Sequence, residues 1–239
     1  QNSDLIIIAA RPGMGKTSFS LNIVMHAGLV HGLKVGFFSL EMAKEQLMMR
    51  MLSAKSKLNF GKIRTGFLSD SEFQKTVAAA ESLQRANIFI DDTPALTSLD
   101  LRSRTRRLKS DKGIDILVVD YLQLMRGSSR TDNREREIAE ISLSLKALAK
   151  ELQIPIIAIS QLSRQTEART DKKPQLSDLR ESGALEQDAD MVIFLHRADA
   201  YKRVADERDG LAEVIIGKQR NGPTGTVSLA FLDTQGVPS

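Results

Sequence analysis

The stretch Ala10-Arg11-Pro12-Gly13-Met14-Gly15-Lys16-Thr17 decides which fold the rest of the chain is expected to adopt. An apolar run at 5–9, of the composition typical of a buried strand, precedes it, and a helical pattern begins at Lys16. Glycine lets the backbone approach a phosphate closely, and a helix start offers free N–H groups and a positive dipole end. Apart from Ala10, which stands where the strict pattern has glycine, the stretch matches the Walker A loop. We therefore predict a nucleoside triphosphate site at the end of the first strand.

Each residue of this loop has an expected role. Gly13 and Gly15 let the backbone wrap the phosphates, and Lys16 should reach the β- and γ-phosphates. The Thr17 hydroxyl should ligate Mg²⁺, and Ser18 completes the set that contacts the nucleotide. ATP and Mg²⁺ are thus the expected cofactors. The alternative, a glycine-bearing turn with a chance Lys-Thr pair, is disfavoured by the strand–loop–helix context.

Beyond the loop, short apolar runs alternate with helical patterns. Further strands are predicted at 35–38, 88–90, 114–119, 155–159 and 191–195. Helices are predicted at 16–31, 44–53, two segments of which the second starts near residue 69, 97–110 with a capping box, and 138–152. The segment 214–231 reads as a hairpin that turns at Asn221-Gly222-Pro223. This alternation predicts an α/β fold, with a mostly parallel sheet covered by helices on both faces and a C-terminal antiparallel hairpin.

Three polar residues follow predicted strands, where ligands bind in such sheets. Asp120 could hold Mg²⁺ through water, or could simply terminate its strand. Glu41 could polarise an attacking water, or could be an ordinary acid at a helix start. Gln161 could sense the γ-phosphate, or could be a plain polar strand-end residue. For Glu41 and Gln161 the local sequence does not separate the two interpretations.

Composition excludes several kinds of site. The 239 residues contain no cysteine, which rules out disulfides, thiolate metal sites and cysteine nucleophiles. The three histidines are scattered, without metal-ligand spacing. The net charge of +4 is compatible with a polyanionic partner. With no run of membrane-spanning length and no signal peptide, we expect a cytoplasmic protein that does not engage a membrane.

Seven segments, which occur in the same order and cover nearly the whole chain, resemble the C-terminal motor domain of the bacterial DnaB-type replicative helicases. They are Ala9-Ala10-Arg11-Pro12-Gly13-Met14-Gly15-Lys16-Thr17, Phe38-Ser39-Leu40-Glu41-Met42, Asp120-Tyr121-Leu122-Gln123-Leu124, Ser160-Gln161-Leu162-Ser163-Arg164, Asp178-Leu179-Arg180-Glu181-Ser182-Gly183, Glu186-Gln187-Asp188-Ala189-Asp190 and Lys218-Gln219-Arg220-Asn221-Gly222-Pro223.

The resemblance implies a RecA-like core that spans 1–239 as a single motor domain, without the family's amino-terminal collar domain and linker. It also implies a homohexameric ring that binds ATP between subunits, moves 5′→3′ on single-stranded DNA and unwinds duplex. A primase and a helicase loader would be partners of the full-length protein.

The resemblance further assigns roles around the nucleotide. Glu41 matches the catalytic glutamate, with Lys16 and Gln161 also in the catalytic set, and Arg50 matches an arginine near the nucleotide. The segment Lys218, Gln219 and Arg220 matches the group that one subunit inserts into its neighbour's site, with Arg220 as the arginine finger. From the residues alone, Lys218 and Arg220 would be a solvated hairpin flank.

For DNA, the resemblance points to one loop. Arg180, Glu181 and Gly183 match the segment that touches DNA phosphates in the ring's channel, contacts that need no base sequence. The bland alternative is a surface Arg–Glu pair. A basic run on the predicted helix 97–110 is best interpreted as a solvated face rather than an interface.

Two other functions fit parts of the pattern. A P-loop kinase for a small molecule would use the same phosphate loop and Asp120. A RecA-like DNA-binding ATPase that switches with ATP but does not unwind would share the fold.

Overall fold

The computed structural model describes residues 1–127, 133–201 and 210–232, without the side chains of 180–182. The strands are β1 (Leu5–Ala10), β2 (Val35–Ser39), β3 (Ile88–Asp91), β4 (Ile116–Asp120), β5 (Ile156–Gln161), β6 (Met191–His196), β7 (Leu211–Gln219) and β8 (Gly225–Ala230). The helices are α1 (Lys16–Leu29), α2 (Lys44–Ser56), α3 (Phe60–Thr65), α4 (Asp70–Arg85), α5 (Ser98–Lys112), α6 (Arg134–Leu152) and α7 (Gly183–Asp188). Short 3₁₀ helices include Arg164–Ala168 and Leu176–Ser182.

The strands form one mixed sheet in the order β3-β2-β4-β5-β1-β6-β7-β8. Strands β1 to β6 run parallel, and the hairpin of β7 and β8 closes the sheet in antiparallel pairing. In the centre, Leu5 pairs with Ile156 and Ala10 pairs with Gln161. The parallel sheet and the C-terminal hairpin predicted from the sequence are thereby confirmed.

Helices bury both faces of the sheet. Successive residues of β1 point to opposite faces, so Ile7 joins the core that contains Leu145 of α6, whereas Ile8 joins the core that contains Val24 of α1. Burial of both faces explains why the central strands are continuous apolar runs rather than alternating ones. Among the described residues, no helix is both long enough and apolar enough to cross a membrane.

The helix starts differ in a way that bears on the site. Helices α4 and α5 begin with complete capping boxes, Ser69 with Glu72 and the predicted Thr97 with Asp100. Helix α1 instead begins at Gly15, without a side-chain cap and without an acidic residue in its first turn. Its first backbone N–H groups are therefore left for an external acceptor.

Several predicted boundaries were wrong by two or three residues. Helix α1 ends at Leu29 rather than 31, α2 continues to Ser56, and β7 starts at Leu211 rather than 214. Strand β4 begins at Ile116 rather than 114, because the polar Asp115 precedes it as the acceptor for the N–H of Lys34. Such ends depend on contacts with distant segments, which local patterns do not contain.

Candidate nucleotide-binding site

The phosphate loop joins β1 to α1 at the carboxyl edge of the sheet. Gly13 and Gly15 have φ angles of 76° and 90°, in the region that glycine adopts without a steric cost. At Gly15 an added Cβ would also lie 2.7 Å from Cε2 of Phe231. Ala10 is the last residue of β1 and has extended backbone, which is why alanine is accepted where the strict pattern has glycine.

Lys16 lies within the curve of this loop. Its Nζ donates hydrogen bonds of 3.2 Å to the carbonyl oxygens of Ala10 and Arg11. Burial lowers the pKa of Lys16, while the nearby carboxylates of Asp120 and Glu41 act in the opposite direction. A partly desolvated ammonium beside free N–H groups is well suited to bind an anion.

Thr17 and Asp120 form the candidate metal position. The Thr17 hydroxyl donates a 2.8 Å hydrogen bond to Oδ2 of Asp120, which is 2% exposed. Burial raises the pKa of Asp120 to about 6, the charge of Glu41 adds to the rise, and Thr17 and Lys16 oppose it. These hard oxygen atoms fit Mg²⁺, which takes one or two carboxylates together with phosphates and water. Among the described residues, no cluster of three or more His, Cys, Asp and Glu forms an all-protein metal cage.

Glu41 lies beside this pair. The residue before it, Leu40, donates its N–H to the carbonyl oxygen of Asp120 at 2.6 Å, and the charge of Glu41 shifts the pKa of Lys16, Asp120 and Arg50. Its side chain is exposed. Helix α2 starts only at Lys44, so Glu41 is not an acid in the first turn of that helix. The geometry therefore favours a role at the nucleotide over the helix-start alternative.

Gln161 reaches the same edge from β5. It pairs with Ala10 in the sheet, which places it next to the phosphate loop. Gln123 holds its backbone: Gln123 Nε2 donates to the Gln161 carbonyl at 3.1 Å and to Ser160 Oγ at 2.9 Å, and the Gln161 N–H donates to Gln123 Oε1 at 3.1 Å. The sequence analysis gave Gln123 no role, because 38 residues separate it from its partner.

A cavity of about 1090 Å³ extends from the loop along α1, and Gly15, Ser18 and Arg50 all line it. The guanidinium of Arg50 lies 5.3 Å from the ring centroid of Phe60. Burial lowers its pKa, and Glu41 opposes the shift. The structure thus brings the predicted Ser18 and Arg50 next to the loop.

The predicted trans-acting group is not at this edge. Lys218 Nζ donates to the carbonyl oxygens of Glu186 at 2.5 Å and Gln187 at 3.3 Å, and Arg220 Nη2 donates to Gln187 O at 2.6 Å. Gln219 pairs with Met191, at the start of β6.

The location of this group follows from the sheet. The N–H of Arg220 bonds to the carbonyl oxygen of Asp190, whose own N–H bonds to the carbonyl oxygen of Leu5. Arg220 therefore lies at the amino end of β1, roughly 16 Å along the strand from the loop at about 3.3 Å per residue. Lys218 and Arg220 stand apart from Lys16 of the same chain.

The predicted DNA loop is described only in its backbone. Arg180 and Glu181 belong to the 3₁₀ helix Leu176–Ser182, and Gly183 begins α7 and is exposed. Their side-chain contacts, including the alternative Arg–Glu surface pair, lie outside the described residues.

The basic run on α5 is a solvated, ion-paired face, as the sequence suggested. Arg102 and Arg106 both bind Glu151 of α6, and Arg104 binds Asp91 of β3. Charges that are already paired at an exposed surface contribute little to stability.

Comparison with known proteins identifies the family. The family model of the DnaB-like helicase C terminal domain matches residues 1–236. This chain belongs to that family. The membership and the RecA-type fold expected from the sequence are both confirmed.

Curated relatives agree with this assignment. The chain is 52% identical to "Replicative DNA helicase DnaB" of Geobacillus stearothermophilus and 51% identical to "Replicative DNA helicase DnaC" of Bacillus subtilis (strain 168). Each match covers 97% of this chain and 51% of the relative, so the chain spans about half the length of these relatives.

Two solved structures share the fold across 99% of the chain. One is an isolated ATPase domain, with a TM-score of 0.92 and 41% identity, and 84% of that chain is covered. The other is "The Structure Of A DnaB-Like Replicative Helicase And Its Interactions With Primase", with a TM-score of 0.93 and 40% identity, and 57% of that chain is covered.

Proposed function

We propose that this DnaB-like domain is the ATP-hydrolysing motor of a ring-shaped replicative DNA helicase, which moves 5′→3′ on single-stranded DNA and unwinds duplex in the cytoplasm. The observation that carries the proposal is the division of the site between two edges of one sheet. The phosphate loop, Asp120, Glu41 and Gln161 share the carboxyl edge, whereas Lys218 and Arg220 lie at the amino edge.

At the carboxyl edge, the loop backbone and Lys16 bind the phosphates of ATP. Thr17 and Asp120 would hold Mg²⁺, which supplies charge neutralisation for the β- and γ-phosphates when bound. Glu41 orients the attacking water and accepts its proton, and the exposure of its side chain supports this role. Gln161, with its backbone held by Gln123, contacts the γ-phosphate.

At the amino edge, Lys218 and Arg220 serve the neighbouring copy. A guanidinium beside the γ-phosphate stabilises the negative charge of the transition state. Since roughly 16 Å of strand separates the two edges, at about 3.3 Å per residue, the arginine must come from another chain. A head-to-tail contact that repeats around a closed ring satisfies every site equally, and we propose six copies, as the family resemblance implies.

DNA binding falls to the segment that contains Arg180, Glu181 and Gly183. Arginine and backbone N–H contacts to phosphate are independent of base sequence, as a moving motor requires. The net charge of +4 supports such a partner. A primase is named with one structural relative, and we extend a primase partner, together with a helicase loader, to the full-length form of this protein.

A RecA-like DNA-binding ATPase that does not unwind would share most of these features, and the test must separate the two. Family membership gives no support to the kinase alternative.

The test combines ATP hydrolysis with strand displacement on a forked duplex. ATP hydrolysis per subunit should rise with protein concentration and with single-stranded DNA, and a forked duplex with a free 5′ tail should be unwound. Hydrolysis that ignores both concentration and DNA would contradict the proposal. Stimulated hydrolysis without any unwinding by the full-length protein would favour the non-unwinding ATPase.

A further inference from the structure

Arg11 joins the phosphate loop to the segment that follows β5. Its Nη1 donates a 2.8 Å hydrogen bond to the carbonyl oxygen of Leu162, and its Nε lies 2.8 Å from Oε1 of Glu167. The side chain is only 10% exposed. The backbone carbonyl of Arg11 also accepts a hydrogen bond from Lys16. One residue thus contacts the phosphate-binding lysine with its backbone and a distant segment with its side chain.

A second set of contacts fixes that segment to the predicted DNA loop. Glu167 lies in the 3₁₀ helix Arg164–Ala168, and the adjacent Arg169 forms a paired hydrogen bond with the Asp178 carboxylate, with Nη1 to Oδ1 at 2.9 Å and Nη2 to Oδ2. The Asp178 carboxylate also accepts a bond from the Thr166 hydroxyl. Asp178 belongs to the 3₁₀ helix Leu176–Ser182, two residues before Arg180.

Asp178 is a firm anchor. Burial acts to raise the pKa of this carboxyl, but the hydrogen bonds from Arg169 and from the backbone of Gln175 outweigh it and hold the pKa below its usual value. The carboxylate is therefore ionised at neutral pH, and its bonds to Arg169 are charge-assisted, directional ones. A displacement of one 3₁₀ helix is then transmitted to the other.

We propose that Glu167 is a positioning residue that couples the occupancy of the phosphate loop to the placement of the Leu176–Ser182 helix. When phosphate enters the loop, Lys16 exchanges carbonyl contacts for phosphate contacts, and the Arg11 backbone responds. The Arg11–Glu167 pair carries this change to the Arg164–Ala168 helix, and Asp178 carries it onward. The DNA end of this path rests on the proposed function, whereas the nucleotide end can be tested without DNA.

A purely structural tether would look different. It would lower stability when removed, yet the segment would respond equally to nucleotide in the intact and the cut protein. A coupling element changes the response itself.

Hydrogen exchange measures this response directly. Peptides that cover residues 10–20 and 164–179 would be followed with and without Mg²⁺ and a slowly hydrolysed ATP analogue, in the wild type and in Glu167→Gln. The matched control is Glu213→Gln, because Glu213 forms a comparable surface pair with Lys173 of the same segment but has no link to the loop.

In the wild type and in Glu213→Gln, the analogue should slow exchange in both peptides. In Glu167→Gln it should slow exchange only in 10–20. Retained slowing of 164–179 in Glu167→Gln would overturn the coupling. If the wild-type 10–20 peptide did not respond, the proposed nucleotide site would fail instead.

A kinetic measurement gives an independent test. Glu167→Gln should keep its DNA-free hydrolysis rate within about twofold, since a partly exposed pair contributes little by itself, but should lose stimulation by single-stranded DNA. Glu167→Asp, which keeps the charge, should recover part of the stimulation. Full stimulation in Glu167→Gln would overturn the inference, whereas no stimulation of the wild type would contradict the proposed function.

Discussion

The two edges of the sheet divide the catalytic groups unequally. The carboxyl edge brings together the phosphate loop, Thr17, Asp120, Glu41 and Gln161, which is enough to bind a nucleotide and orient water. The amino edge carries Lys218 and Arg220, which donate to backbone carbonyls at the end of α7. One chain therefore supplies a binding site at one edge and a transition-state cation at the other. The difference teaches that binding is a property of the single chain, whereas catalysis requires two.

Removing the cation of the carboxyl edge should have the largest effect. Lys16→Ala takes the ammonium away from the phosphates, so hydrolysis should fall on the order of 10³-fold or more, and nucleotide binding should weaken as well. Hydrolysis rates and the binding of a fluorescent nucleotide measure both losses. Lys44→Ala, at the exposed start of α2, is the control and should behave as wild type. A rate within tenfold of wild type for Lys16→Ala would break the assignment of the loop.

Removing the cation of the amino edge should separate the two properties. Arg220→Ala should lower hydrolysis on the order of 10³-fold, because the transition-state charge loses its guanidinium, while nucleotide affinity changes by no more than about threefold. Arg107→Ala is the control, since Arg107 is an exposed arginine on the solvated face of α5. Equal losses of binding and hydrolysis in Arg220→Ala would mean that the edges do not divide the work in this way.

Acidity should act on the carboxyl edge alone. Burial raises the pKa of Asp120 to about 6, so below pH 6 a proton occupies the carboxylate that would hold Mg²⁺. The apparent Mg²⁺ affinity of the nucleotide complex should therefore be flat above pH 6 and fall by about tenfold per unit below it. Magnesium titrations of nucleotide binding between pH 5 and pH 8 test this. Asp120→Asn should be weak at every pH, and a wild-type affinity that is flat down to pH 5 would contradict the assignment.

The smallest effect concerns the support of Gln161. Gln123→Ala removes three hydrogen bonds that fix the backbone of Ser160 and Gln161, so kcat should fall by about three- to tenfold with KM nearly unchanged. Gln46→Ala, at an exposed position of α2, serves as the matched control. A rise in KM without a change in kcat would show that Gln161 acts in binding rather than in the chemical step.

The carboxyl edge could be predicted from the sequence because parallel strands end together. Asp120, Glu41 and Gln161 each follow an apolar run, and sheet geometry alone then brings the three strand ends to one edge. The phosphate loop was also predictable, since its glycines, lysine and threonine lie within eight consecutive residues.

What the sequence could not provide is the contact between distant segments. The partners Arg11 and Glu167 are 156 residues apart, and nothing local to either residue indicates the other. The position of Arg220 relative to Lys16 likewise depends on the register of β6 and β7, including a shift between Val192 and Ile193. The resemblance implied that Arg220 acts on a neighbour, but only the fold gives the physical reason.

The most direct test of the divided site mixes two inactive variants. Glu41→Gln damages the carboxyl edge and Arg220→Ala damages the amino edge, and both should still bind nucleotide. In random 1:1 assemblies, about one contact in four joins an intact carboxyl edge to an intact amino edge, so the mixture should recover up to about a quarter of wild-type hydrolysis. Hydrolysis that stays at the level of the separate variants, in assemblies shown to contain both chains, would contradict a site shared between two copies.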